Sequence, residues 1–219
     1  MWNSQVIIML LEGIRDTLYM TLASTLFGYI IGLPMGIVLT VTDKDGIRPN
    51  AAVYKVLDVI SNLLRSIPFI ILLIVLIPFT RFVVGRSYGS TATIVPLTIA
   101  AAPYIARMVE SSLKEVDAGV IEAARSMGAS DFQIVTRVML VEARTSLIVG
   151  ATISLGTILG DSAMAGTVGG GGLGDIAIRY GYTRWQTDIM VVTVVLLVIL
   201  FQIFQTIGMK IANRLDRRK

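Results

Sequence analysis

From Thr17 to Val41 the chain carries no charged residue. A helix crossing the hydrocarbon core of a bilayer needs about 20 apolar residues, so this stretch is long enough to span with some tilt. The pattern recurs. Ser87 to Ala106 and Ile189 to Met209 are also free of charge, and Val59 to Thr80 contains only Arg65. Thr145 to Gly160 is shorter, but it continues beyond Asp161 as small residues. In lipid every backbone polar group must be satisfied within the segment, which selects helices. The chain is therefore expected to be all-α, a polytopic membrane protein with five transmembrane helices, forming a single transmembrane domain over 1–219 with its core at about 13–209. Only 16% of its residues are charged, against about 25% in soluble domains.

The residue inventory limits the chemistry. With no cysteine and no histidine, the chain lacks thiolate ligands, the commonest metal ligand and the usual general base at neutral pH. No catalytic residue and no metal site are expected, and the chain is not read as an enzyme. The net charge of +4 raises the question of nucleic acid. The basic residues, however, lie between hydrophobic segments and form no basic, aromatic-rich face, so membrane lipid is the expected partner and no nucleic acid is. The start, "MWNSQVIIMLLEGIRD", lacks a basic n-region, and Glu12 and Asp16 fall where a small-residue cleavage site should follow. It is expected to be retained as an interfacial amphipathic helix.

Basic residues also choose the sides. With five spans, Lys44, Arg48, Lys55, Arg107, Lys114, Arg125, Arg137, Arg144, Lys210, Arg214, Arg217, Arg218 and Lys219 share one side, and only Arg15, Arg81, Arg86, Arg179 and Arg184 share the other. The excess places the C-terminus in the cytoplasm and the N-terminus outside. Arg65 is read as a snorkelling residue at the cytoplasmic edge of the second span. Gly28, Gly32 and Gly36 in the first span, and Gly156 and Gly160 in the fourth, form small-xxx-small ladders that let helix backbones approach. Pro34, Pro68, Pro78, Pro96 and Pro103 lie inside or at the ends of spans, where they kink helices.

Residues 107–144 form a cytoplasmic segment that is not apolar enough to span. Val116, Val120, Ala124 and Met127 nevertheless fall near one helical face. Gly128 can end that helix in the left-handed conformation, and Ser130 with Gln133 can cap a second one through a capping box. Helix, sharp stop, helix describes a rigid knob suited to a groove on a partner.

The knob carries a family resemblance. "EAARSMG" followed by "VMLVEA" resembles the EAA loop of ABC-importer permeases: Glu122, Ala123, Ala124 and Gly128 match, and Val141 stands where the family has proline. "LRSIPFIILLIVLIPFTR", "IVPLTIAAAPYIARMVE" and "SAMAGTVGGGGLGD" resemble the methionine-import permeases of bacterial ABC transporters. That resemblance implies the type I ABC-importer permease fold in a bacterial cytoplasmic membrane. It also implies a homodimer of permeases, two ATP-binding subunits that hold ATP and magnesium, and an extracytoplasmic methionine-binding protein. The loop would dock in a cleft of the ATPase subunit, with Glu122, Ala123, Ala124, Arg125 and Gly128 as the coupling residues. The absence of a Gly-Lys dipeptide, and so of a P-loop, agrees with ATP being handled elsewhere.

Near the fourth span, Met164 is either a gate in the translocation path, which the resemblance favours, or a gap-filling core residue. Asp161, where the related permeases carry tyrosine, either lines the path beside Ser162 or sits wet at an interface; a carboxylate in a span costs about 2.5–3.5 kcal/mol on insertion scales. Gly169, Gly171 and Gly174 match G-x-G-x-x-G, a dinucleotide site only in a strand–turn–helix context. The glycine run otherwise reads as a flexible turn where the fourth span leaves the membrane on the outer side or, with Met164 as the gate, as glycines that let it move. Methionine import by alternating access is the leading function. A permease for another small amino acid, an ion-coupled secondary carrier and a membrane scaffold are the alternatives; the carrier class often shows internal repeats, and none is found.

Overall fold

The computed structural model describes residues 4–215. Among them all regular structure is helical. Helix α1 runs Ser4–Thr42, α2 Ala51–Ser66, α3 Phe69–Val75, α4 Ile77–Val84 and α5 Ser90–Lys114. Then come α6 (Ala118–Ser126), α7 (Asp131–Gln133), α8 (Leu140–Glu142), α9 (Arg144–Ala165), α10 (Gly172–Ile176) and α11 (Thr187–Leu215). Helices α1, α5 and α11, and the helical stretch Arg144–Tyr182 that begins with α9, are each long and apolar enough to cross a membrane, and a fifth crossing exists if the broken pair α2–α3 counts as one span.

That pair corrects one expectation. The segment from Val59 to Thr80 is not a continuous helix. Pro68 has no N–H to donate and disfavours helical backbone at Ile67, so α2 stops at Ser66 and Pro68 becomes the N-cap of α3. Pro78, in the first turn of α4, goes with a second break at Leu76. The expected separate helix at the N-terminus is also revised, because α1 passes unbroken from Ser4 through Asp16 into the first span. Of the residues used to assign sides, Arg217, Arg218 and Lys219 lie outside the described residues.

The chain divides into two compact units that alternate along the sequence. One comprises Met1–Phe27, Ile67–Ala101 and Leu155–Gln205; the other comprises Gly28–Ser66, Ala102–Ser154 and Thr206–Lys219. In the first unit Leu10, Leu173, Ile176 and Ile189 form a buried cluster, with Val6, Met9, Tyr180 and Leu196 packed against it. Gly13 lets α10 approach α1, since a Cβ there would overlap the Ile176 side chain. Gly156 makes room for the ring of Phe201. Gly160, expected to continue that ladder, faces open space.

In the second unit Gly32 and Gly36 of the α1 ladder behave as expected. A Cβ at Gly32 would lie 2.6 Å from the Ala102 carbonyl oxygen, and one at Gly36 would lie 2.5 Å from that of Ala106. Helices α1 and α5 therefore meet backbone to backbone, which small residues permit in lipid. Thr152 occupies the space beside Gly208 in the same way. Arg65 stacks 6.0 Å from the centre of the Tyr104 ring, within range of a cation–π contact.

Candidate coupling site and gate

Helix α6 is set by caps at both ends. Asp117, not anticipated as a cap, accepts from the Gly119 N–H at 2.7 Å and starts the helix at Ala118. At the other end Gly128 adopts φ +82°. The Gly128 N–H donates to the Arg125 carbonyl (2.9 Å) and the Ala129 N–H to that of Ala124 (3.1 Å). These two bonds form a Schellman motif, which satisfies carbonyls that a helix end would otherwise leave bare. The next helix opens with the expected capping box. The Ser130 N–H donates to Gln133 Oε1 at 2.9 Å, and the Gln133 N–H donates to Ser130 Oγ at 3.3 Å. Beyond Gln133 the backbone widens into a π-helical stretch, Ile134–Met139, whose end residues Ile134 and Met139 are buried.

The predicted apolar face of α6 needs revision. Ala124 is 5% exposed and anchors the helix, whereas Val120 is half-exposed and Met127 is 82% exposed. Val116 precedes the helix. Glu122, Ala123, Arg125 and Gly128 are all exposed, as is Phe132 at 75%. Four of the five expected coupling residues thus share an accessible surface with two large apolar side chains, and the fifth, Ala124, holds the helix to its unit. Val141, also exposed, lines a cavity of about 610 Å³ with Val120, Glu142 and Arg144.

At the end of α5 lies a charged network. Glu110, 4% exposed, accepts from Tyr54 Oη (3.3 Å), Arg107 Nη1 (2.7 Å) and Lys114 Nζ (2.8 Å). Arg107 also pairs with Asp58 and donates to Asn62 Oδ1 (3.1 Å). Lys114 also reaches Asp43 at 2.7 Å. Its hydrogen bond holds the Asp43 carboxyl below the usual carboxylate range, against a smaller opposing effect of burial. A buried carboxylate is expensive unless paired and fully hydrogen-bonded, and Glu110 is both. The sequence signal was the spacing of Arg107, Glu110 and Lys114 at the end of a span, one side of a helix.

At the end of α9 the structure separates the three expected path residues. Ser162 is buried, with its hydroxyl donating to the Leu159 carbonyl at 2.7 Å. Met164 is 54% exposed, and Asp161 is half-buried three positions before it. The glycine run is not a flexible turn. The Leu173 N–H donates to Thr17 Oγ1 (2.9 Å), Thr93 Oγ1 to the Gly170 carbonyl (3.2 Å) and the Gly89 N–H to the Gly169 carbonyl (2.9 Å). A Cβ at Gly174 would overlap the Ala163 carbonyl oxygen. These glycines permit contact rather than movement. No strand flanks them among the described residues, so the G-x-G-x-x-G pattern has none of its dinucleotide context. Among the described residues, no group of acidic side chains could hold a metal ion.

Comparison with known proteins decides the family. Residues 19–219 match the model of the binding-protein-dependent transport system inner membrane component. The chain belongs to that family. It is accordingly a multi-pass inner-membrane permease subunit, and its helices follow the type I ABC-importer arrangement. Among relatives of this permease, the probable D-methionine transport system permease protein of Vibrio cholerae is 47% identical, over 96% of this chain and 93% of its own length. The D-methionine transport system permease protein of Escherichia coli is 53% identical, over 72% of this chain and 73% of its own. Among solved structures, a chain of the MetNI methionine ABC transporter, described in inward-facing conformations, is 49% identical with a TM-score of 0.97, covering 99% of this permease and all of that chain.

Proposed function

We propose that this permease imports methionine, the D- and L-forms both being candidates, by ATP-driven alternating access. It works as a homodimer with two ATP-binding subunits, which hold ATP and magnesium, and with an extracytoplasmic methionine-binding protein. The observation that carries the mechanism is α6: a short exposed helix, fixed at both ends by its own caps, presenting Glu122 and Ala123 beside exposed Met127 and Phe132. Such a helix can be pushed without fraying. A flexible loop in its place would absorb the movement of a partner instead of passing it on. Near-full-length similarity to methionine permeases supports the substrate and the partners.

The excess of basic residues puts α6 and the C-terminus in the cytoplasm and the N-terminus outside. Within the translocation path, Met164 is the exposed gate residue and Asp161 lines the same side of α9. Ser162 stands beside them on α9, buried, with its hydroxyl bonded to the Leu159 carbonyl. The deciding experiment reconstitutes the permease with its ATPase and binding protein in proteoliposomes. Methionine-stimulated ATP hydrolysis with ATP-dependent methionine uptake is expected. Uptake driven by an ion gradient without ATP, or stimulation only by another amino acid, would refute the proposal.

A further inference from the structure

The loop that follows α1 is stiff. The Gly46 N–H donates to the Asp43 carbonyl (2.9 Å), the Arg48 N–H to that of Val41 (3.0 Å) and the Asn50 N–H to that of Thr42 (2.9 Å). A Cβ at Gly46 would overlap the Val41 carbonyl oxygen. Two cationic side chains grip this loop. Lys114, from the Glu110 network, holds Asp43 at 2.7 Å. Arg125, from the coupling helix, donates through Nη2 to the Ile47 carbonyl at 2.9 Å.

The grip of Arg125 is informative because of what surrounds it. A cavity of about 570 Å³, lined by Asp43, Gly46 and Ile47 on one side and by Ile121, Glu122 and Arg125 on the other, lies between the loop and α6. The two elements are therefore not joined there by a continuous packed interface. Arg125 is exposed on α6, yet its guanidinium turns back to a carbonyl of its own chain. Displacement of α6 then reaches the loop along that guanidinium, and the loop hands it to the end of α1 through its backbone bonds to Val41 and Thr42.

We propose that Arg125 is a positioning residue for import: through the Ile47 carbonyl it makes the Asp43–Asn50 loop a strut between the coupling helix and α1, and it does not serve as a contact for the ATPase. The proposal rests on the reading of α6 as the docking helix.

The test measures, in proteoliposomes holding the whole transporter, how much ATPase subunit is retained and how much methionine is imported per ATP hydrolysed. Gly46→Ala disturbs the strut at a residue outside the coupling surface. It is expected to keep the ATPase bound while import per ATP falls roughly twofold to thirtyfold, the range that mutations along a coupling route produce. Arg125→Ala should lower import per ATP similarly, and Arg125→Lys, which can still donate to the carbonyl, should recover most of it. Because both changes break one link, the Gly46→Ala/Arg125→Ala double variant should be no worse than the worse single variant. If Gly46→Ala fails to insert, Asp43→Asn loosens the same loop without a clash and should show the same loss. Loss of the ATPase in Arg125→Ala with normal import in the loop variant would overturn the strut, as would effects that multiply in the double variant. Glu122→Lys tests the docking reading alone: retained ATPase and normal import there would refute docking whatever the loop variants show.

Discussion

At the scale of single residues, two positions carry more than their side chains suggest. Gly128 holds φ +82°, which costs an L-residue with a Cβ about 1–2 kcal/mol. Gly128→Ala should therefore weaken the end of α6 and reduce uptake, while Gly128→Pro, whose φ is locked near −65°, should abolish uptake with insertion preserved. Uptake assays beside quantification of the inserted protein separate these outcomes. Thr17 is the second position. It is buried, its hydroxyl accepts from the Leu173 N–H and donates to the Gly13 carbonyl (2.8 Å). Thr17→Val keeps the shape but orphans a buried N–H, at a cost of about 1–3 kcal/mol. The thermal unfolding midpoint in detergent should fall for Thr17→Val and be largely restored by Thr17→Ser.

At the scale of elements, close packing and local capping were not equally legible in the sequence. The stop at Gly128 and the box from Ser130 to Gln133 could be read directly, because their partners lie within a few residues. The Glu110 network could be read only in part: the spacing of Arg107, Glu110 and Lys114 pairs them along α5, but Tyr54 reaches it across 56 positions, and no periodicity announces a pairing that tertiary structure alone creates. The glycine run was misread for the same reason, since its anchor on Thr17 lies 156 positions away. In the second span the prolines were visible, but an apolar stretch of spanning length concealed that Pro68 divides it. Glycines test the packing argument. Gly32→Ala, against the Ala102 carbonyl, should lower the unfolding midpoint, whereas Gly160→Ala enters open space and should leave it unchanged or raise it slightly, given the helix preference of alanine of about 1 kcal/mol over glycine. Equal effects in the two variants would refute the assignment of α1–α5 as a close backbone contact.

At the scale of the whole molecule, composition and span pattern settled the class before any contact was known, and the family match over residues 19–219 agrees with it. The division of labour in the proposed transporter makes one clear prediction here. Asp161→Asn removes a charge from α9 while conserving shape, so it should change uptake kinetics more than the unfolding midpoint. Unchanged uptake kinetics would remove Asp161 from the path.

The wide turn between Ile134 and Met139 has a consequence for rotational phase. Successive residues of an α-helix advance by about 100° around the axis, given about 3.6 residues per turn. A π-turn accommodates one residue more without lengthening the rod in proportion. The stretch therefore works as an angular spacer ahead of α8 and the start of α9. A relative one residue shorter here, with an ordinary α-turn, would keep those helices in the same phase, whereas one of equal length without the wide turn would rotate them by roughly a quarter turn and present different side chains.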